Sequence, residues 1–146
     1  IDYDAEKIEI AQNGYLKNEH VNFVAEDALN YQFSNEDAII LSDVLHYLNP
    51  EHQQQLLENC VHNTNPGGMI VIRDGVKELE TRHKGTRLSE LFSTKILGFN
   101  KIGQQGLSFL SLSFIETFAA KHHLQLSKID NTKLTSNLIF VLKKPA

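Results

Sequence analysis

The chain has 146 residues, 41% apolar and 22% charged, with a net charge of -4, values that suit one soluble globular domain with a real core. Its longest apolar runs, such as LIFVL at residues 138–142, fall far short of the roughly 20 residues that span a bilayer, and no signal peptide is visible. A lone cysteine, Cys60, excludes an intramolecular disulfide, no Cys/His pair has ligand spacing, and so no metal and a reducing cytoplasm are expected.

The elements alternate along the chain. IDYD at residues 1–4 reads as the end of a strand running into a helix that Asp4 caps, with Ala5, Ile8, Ala11 and Tyr15 on its buried face. VNFVA at residues 21–25 reads as a short strand that stops at Glu26 and Asp27. DAIILSD at residues 37–43 has an apolar centre between acids, the pattern of a strand buried on both faces. Asn49-Pro50 supplies an N-cap and a first-turn proline for a helix whose buried stripe is Leu56, Leu57, Cys60 and Val61.

NPGG at residues 65–68 is expected to break the chain before a buried strand, MIVIR, at residues 69–73. Residues 75–112 are less regular and hold one amphipathic helix, residues 86–97. SFIE at residues 113–116 reads as a capping box opening a helix through Phe118 and Ala119, and two strands follow at 124–129 and 137–143. With no repeat, low-complexity tract or linker, residues 1–146 are expected to form a single domain.

Such alternation, with continuously apolar strands, implies an α/β fold: a doubly wound, mostly parallel sheet with helices on both faces. Ligands of these sheets bind at the carboxyl ends of the strands, which here are Asp2, Asp27, Ser42-Asp43 and Arg73-Asp74. Charge is divided unevenly: residues 1–60 hold 12 of the 18 acids and only 2 of the 14 lysines and arginines. The second part contains a basic cluster, Arg73, Lys77, Arg82, His83, Lys84 and Arg87, which reads either as a solvated face or as a site for a phosphate or carboxylate. A nucleic-acid partner is not expected, because the acidic part would repel it.

The ordered series IDYD, VNFVAEDA, DAIILSDVLHYL and LLENCVHNTNPGGMIVIRD resembles the class I S-adenosylmethionine-dependent methyltransferases, a Rossmann-like family, from that family's second strand onward. The resemblance implies a closing antiparallel strand pair and S-adenosylmethionine as cofactor. It assigns the ribose hydroxyls to Asp2, adenine packing to Tyr3, the adenine amino group to Asp27, a ring nitrogen to the backbone amide of Ala28, and the methionine portion to Ser42 and Asp43. A carboxylate suits a ribose because its two oxygens accept from adjacent hydroxyls. Capping of a helix or turn is the competing reading for Asp2 and Asp27.

The family's first strand and glycine-rich loop are missing from these residues and are expected to lie upstream. Residues 1–146 alone are therefore expected to bind the cofactor poorly and to be inactive, and open sheet edges would favour self-association. Because the sulfonium methyl is already activated, catalysis is mostly alignment plus a base; His46, three residues beyond Asp43, is the candidate base, and Asp43 is the second catalytic candidate. Arg73, Asp74, Arg82, His83, Lys84 and Arg87 are candidate substrate residues, and residues 75–112 fall where the family often inserts a substrate lid. RDG followed by RHKGTRLSELFSTKILGFNK also resembles methyltransferase modules at the ends of large bacterial polypeptides that carry a membrane exporter and a lysophospholipid acyltransferase. The expected substrate is small-molecule or lipid-like, the second being what that resemblance implies, and the expected location is the cytoplasm, at the membrane face if the chain belongs to such a fusion. Two alternatives remain at this point: a nicotinamide oxidoreductase, whose second strand also ends in a ribose-binding acid, and a methyltransferase-like module without catalysis.

Overall fold

Asp4 opens the first helix by accepting hydrogen bonds from the amides of Glu6 and Lys7, and α1 (Ala5–Gln12) follows, with Ile8 as its buried residue. The computed structural model describes residues 1–14, 18–79, 107–130 and 136–146, arranged as two compact units, Ile1–Ser34 and Asn35–Ala146. In the first unit the expected strand at 21–25 is reduced to a single parallel bridge between Ala25 and Asp2. Asp2 N donates to Val24 O at 3.2 Å and Glu26 N to Asp2 O at 3.0 Å, so the two chain segments do pair, over one residue each. Val21 is 38% exposed, and so short a pairing with so little apolar burial does not extend into a ladder.

The second unit is built on a four-stranded sheet. Its strands are β1 (Glu36–Ser42), β2 (Thr64–Gly75), β3 (Gln125–Ile129) and β4 (Asn137–Lys143), in the spatial order β1-β2-β4-β3. β1 and β2 run parallel, joined through α2 (Pro50–His62), whereas β4 runs antiparallel to both β2 and β3. The closing antiparallel pair is thus present, and the sheet is mixed. Register brings Ile39 opposite Ile70, Leu41 opposite Ile72, and Phe140 opposite Ile72 from the other side. These side chains share one face and are buried, with α2 packed on β2 through Leu56, Leu57 and Cys60. The opposite face stays open among the described residues, leaving Ile40 70% and Met69 38% exposed.

Two boundaries differ from the sequence reading. NPGG does not precede β2 but lies inside it: the pairing shifts register between Glu36 and Ala38, and Gly67, at φ 78°, supplies the left-handed residue of that irregularity. The last helix, α3 (Leu112–Lys121), is capped by Ser111, whose Oγ accepts from Phe114 N at 3.1 Å. Ser113 is therefore already helical, and Glu116, the expected partner in its capping box, instead holds Lys128 Nζ at 2.7 Å. The expected helix at 86–97 lies outside the described residues. No described helix is long and apolar enough to cross a membrane.

The carboxyl end of α2 is closed from two sides. Thr64 Oγ1 donates to Cys60 O at 2.7 Å, and Lys144 Nζ donates to Val61 O and Thr64 O, placing a cation where the helix dipole is negative. Cys60 is fully buried there, and burial pushes its thiol from the ordinary 9.0 up to about 12. Native protein at pH 8 should leave Cys60 unmodified by iodoacetamide while denatured protein reacts fully, as read by mass spectrometry; rapid native labelling would contradict the packing of α2. Because the folded thiol titrates above the unfolded one, this group's contribution to stability should be intact below pH 9.0 and decline as pH rises toward about 12.

Candidate functional site

In the first unit the parallel bridge fixes the backbone of Asp2, and a turn then uses its side chain: Oδ1 accepts from Asp4 N at 2.9 Å. Asp27 does the same one segment later, with Oδ1 accepting from Leu29 N at 2.9 Å. Both acids thus cap local turns, as the competing reading required, yet among the described residues each accepts through only one carboxylate oxygen, and neither is buried. The second oxygen of each keeps two lone pairs able to accept from hydroxyl or amino groups. Such a donor-hungry pair fits a ribose and an exocyclic amine. Tyr3 is 52% exposed and Ala28 is half-buried.

The second unit assembles the remaining polar residues at the carboxyl ends of β1 and β2. Asp43 N donates to Arg73 O at 2.8 Å, extending the parallel pairing by one residue. Asp43 itself sits at φ 54°, a left-handed conformation that costs a side chain other than glycine on the order of 1–2 kcal/mol. Its carboxylate is paired with the Arg73 guanidinium, accepts from Ser42 Oγ at 3.3 Å, and lies 3.5 Å from Asn137 Nδ2. Arg73 is therefore committed to Asp43, although both remain partly exposed.

Asp74 points to the other face of β2 and is completely buried. Its Oδ2 accepts from the amides of Leu45 at 2.8 Å and His46 at 3.4 Å, and its Oδ1 accepts from Gly75 N at 2.7 Å. The same Oδ1 lies 2.7 Å from His46 Nδ1. A carboxylate so enclosed has no open side toward solvent. Arg82, His83, Lys84 and Arg87 lie outside the described residues, as does the greater part of the expected lid, residues 80–106.

Sequence reasoning missed the residues that frame His46. Gln53, 4% exposed, donates its amide to the carbonyls of Leu45, Leu48 and Ser108. Ser108 N in turn donates to His46 O at 2.9 Å, and the Phe109 ring lies along the imidazole, centroids 5.9 Å apart at 24°. Gly75 allows this approach, because a Cβ there would lie 2.8 Å from Phe109 Cδ1. The available signal was Gln53 itself, a polar residue on the apolar stripe three residues before Leu56. Among the described residues no cluster of ligating side chains could hold a metal ion.

A family model described as a methyltransferase domain matches residues 1–68. Among curated proteins, the carboxy-S-adenosyl-L-methionine synthase of Shewanella piezotolerans is 26% identical over 128 residues, covering 70% of this chain and 53% of that protein. The corresponding synthase of Actinobacillus succinogenes is 34% identical over 62 residues, covering 42% of this chain and 26% of its own length. The first of these relatives is thus spanned over about half its length. Among solved structures, human N-acetylserotonin methyltransferase in complex with S-adenosylmethionine matches 99% of this chain and 39% of its own, at TM-score 0.66 and 19% identity. An N-methyltransferase from Bradyrhizobium japonicum in complex with S-adenosyl-L-homocysteine matches 99% of this chain and 65% of its own, at TM-score 0.64 and 16% identity. The chain has the class I methyltransferase fold.

The conformation of Asp43 gives a direct test of the strand end. Asp43→Gly and Asp43→Ala both remove the pairing with Arg73, but only alanine keeps a Cβ in the left-handed region. Asp43→Ala should be less stable than Asp43→Gly by about 1 kcal/mol in urea unfolding. Equal or reversed stabilities would mean that Asp43 does not hold the strained conformation.

Proposed function

We propose that the polypeptide carrying this chain transfers a methyl group from S-adenosylmethionine to a small-molecule substrate, and that the substrate is lipid-like with an anionic group. When bound, S-adenosylmethionine supplies a methyl group already activated on a sulfonium. The observation that supports the reading most is the pair of half-committed carboxylates, Asp2 and Asp27, in a chain whose fold neighbours include complexes with that cofactor and its product. In this reading Asp2 binds the ribose hydroxyls, Tyr3 packs on the adenine, Asp27 and the Ala28 amide bind its edge, and Ser42 and Asp43 border the methionine portion. His46 is the base that accepts a proton from the nucleophile.

The anionic group is assigned to Arg82, His83, Lys84 and Arg87, within a substrate lid over residues 75–112. Arg73 serves the substrate side indirectly, by holding Asp43, and Asp74 by holding His46. The apolar residues of the lid segment and the resemblance to exporter and acyltransferase fusions support the lipid-like substrate and a place at the cytoplasmic membrane face. Self-association through the outer edge of β1, the end strand of its sheet, belongs to the same reading.

Calorimetry on the native polypeptide that contains these residues tests the cofactor assignment. Asp2→Ala should weaken S-adenosylmethionine binding at least tenfold, about 1.4 kcal/mol, with the melting temperature little changed. Unchanged affinity would remove Asp2 from the ribose. A product identified by mass as carboxy-S-adenosylmethionine would replace methyl transfer with the chemistry named in the curated relatives.

A further inference from the structure

Side chains from three neighbouring strands, β1, β2 and β4, converge on the carboxylate of Asp43. Register sets Ser42, at the end of β1, beside Arg73 on β2, and Arg73 beside Ile139 on β4. Asn137 lies two residues before Ile139 and so shares its face of the sheet, the face opposite to Asp74. The Arg73 guanidinium and the Ser42 hydroxyl, the latter at 3.3 Å, both donate to Asp43 Oδ2, while Asn137 Nδ2 lies 3.5 Å from Oδ1. A guanidinium and two neutral donors gathered on a planar anion with two oxygens are the donor set of a carboxylate site. The chain's own side chain fills it.

We propose that Ser42, Arg73 and Asn137 form a binding site for a small-molecule carboxylate other than the cofactor, and that Asp43 occupies this site until such a ligand displaces its side chain. The inference goes beyond the methyl-transfer reading, which leaves Arg73 holding Asp43. The exchange is one carboxylate for another on the same donors: the Asp43 side chain rotates out, the ligand's oxygens take over its hydrogen bonds, and the charge at the strand ends stays balanced.

Asp43 is a replaceable occupant. Its side chain is 41% exposed and that of Arg73 47%, so a ligand reaches the guanidinium from solvent without unfolding the strand ends. An ion pair this open contributes little to stability, and what favours Asp43 is chiefly its tether, which keeps its carboxylate at high local concentration. The backbone does not depend on that carboxylate. Asp43 N donates to Arg73 O at 2.8 Å, and the turn beyond is held by Asp74, which accepts from the amides of Leu45 and His46. The conformation at φ 54° suits glycine, so Asp43→Gly should empty the site while the strand end keeps its course.

Acetate titrated into the native polypeptide, with sodium chloride at equal ionic strength as the control, tests the site without cofactor. Asp43→Gly should bind acetate about tenfold or more tightly than the wild type, read as a rise in melting temperature and as an NMR shift of the Arg73 guanidinium. The double variant Asp43→Gly, Arg73→Gln should respond to acetate no more than to chloride. Equal responses in the wild type and Asp43→Gly, or a response that survives Arg73→Gln, would overturn the proposal, as would inorganic phosphate binding more tightly than acetate. If Asp43→Gly does not fold, Asp43→Asn, which tolerates the same left-handed backbone, takes its place with the same expectation. Saturating S-adenosylhomocysteine should leave the acetate response of Asp43→Gly intact; its loss would give the site to the cofactor and overturn the assignment to a second ligand. Failure of the methyl-transfer reading would show instead as absent S-adenosylhomocysteine binding with the acetate response unchanged.

Discussion

The structure of the second unit hangs on one buried carboxylate. Asp74 sits at the end of the longest strand, with no solvent contact, and ties that strand to the turn leaving β1. Removing the acceptor would strand three amides in the interior, at about 1–3 kcal/mol each. No apolar residue of similar size could take its place, because the turn at Leu45–Tyr47 would lose the acceptor it folds around.

Everything near Asp74 follows from the way β2 is shared. Its two neighbours run in different directions, β1 parallel through α2 and β4 antiparallel through the closing pair. The parallel partner brings the end of β1 beside the end of β2, so that Asp43 and His46 arrive together. The antiparallel partner brings Leu138 opposite Asp74 and Ser136 O onto Val76 N, sealing the carboxylate from below. Residues 107–110 then return over the same point, through the Val76–Leu110 bridge, and lay Phe109 on the imidazole. The strand ends carry the chemistry because parallel neighbours end on the same side.

Much of this was legible in the sequence. Acids bracketing the run IIL marked β1, Asn49-Pro50 marked the start of α2, and Asp4 capped α1, because caps and apolar runs are local signals. The strand at 21–25 was overread: its β-branched residues are correct in type, but they find a partner only at Ala25. NPGG was read as a stop because proline and glycine usually are one, whereas a register irregularity lets β2 pass through it. Ser113 and Ser111 are equally good caps by type, and only the path of the chain selects Ser111. The polar strand ends announced a site, but not its division of labour. That Arg73 faces Asp43 while Asp74 turns inward to His46 depends on strand alternation combined with a turn 28 residues away, which no local pattern contains.

The proposed cofactor assignment is tested most directly by a crystal structure of the native polypeptide with S-adenosylhomocysteine. The ribose hydroxyls should lie on the Asp2 carboxylate and the adenine amino group on Asp27. Density for the ligand elsewhere, or a ribose bound without Asp2, would contradict it.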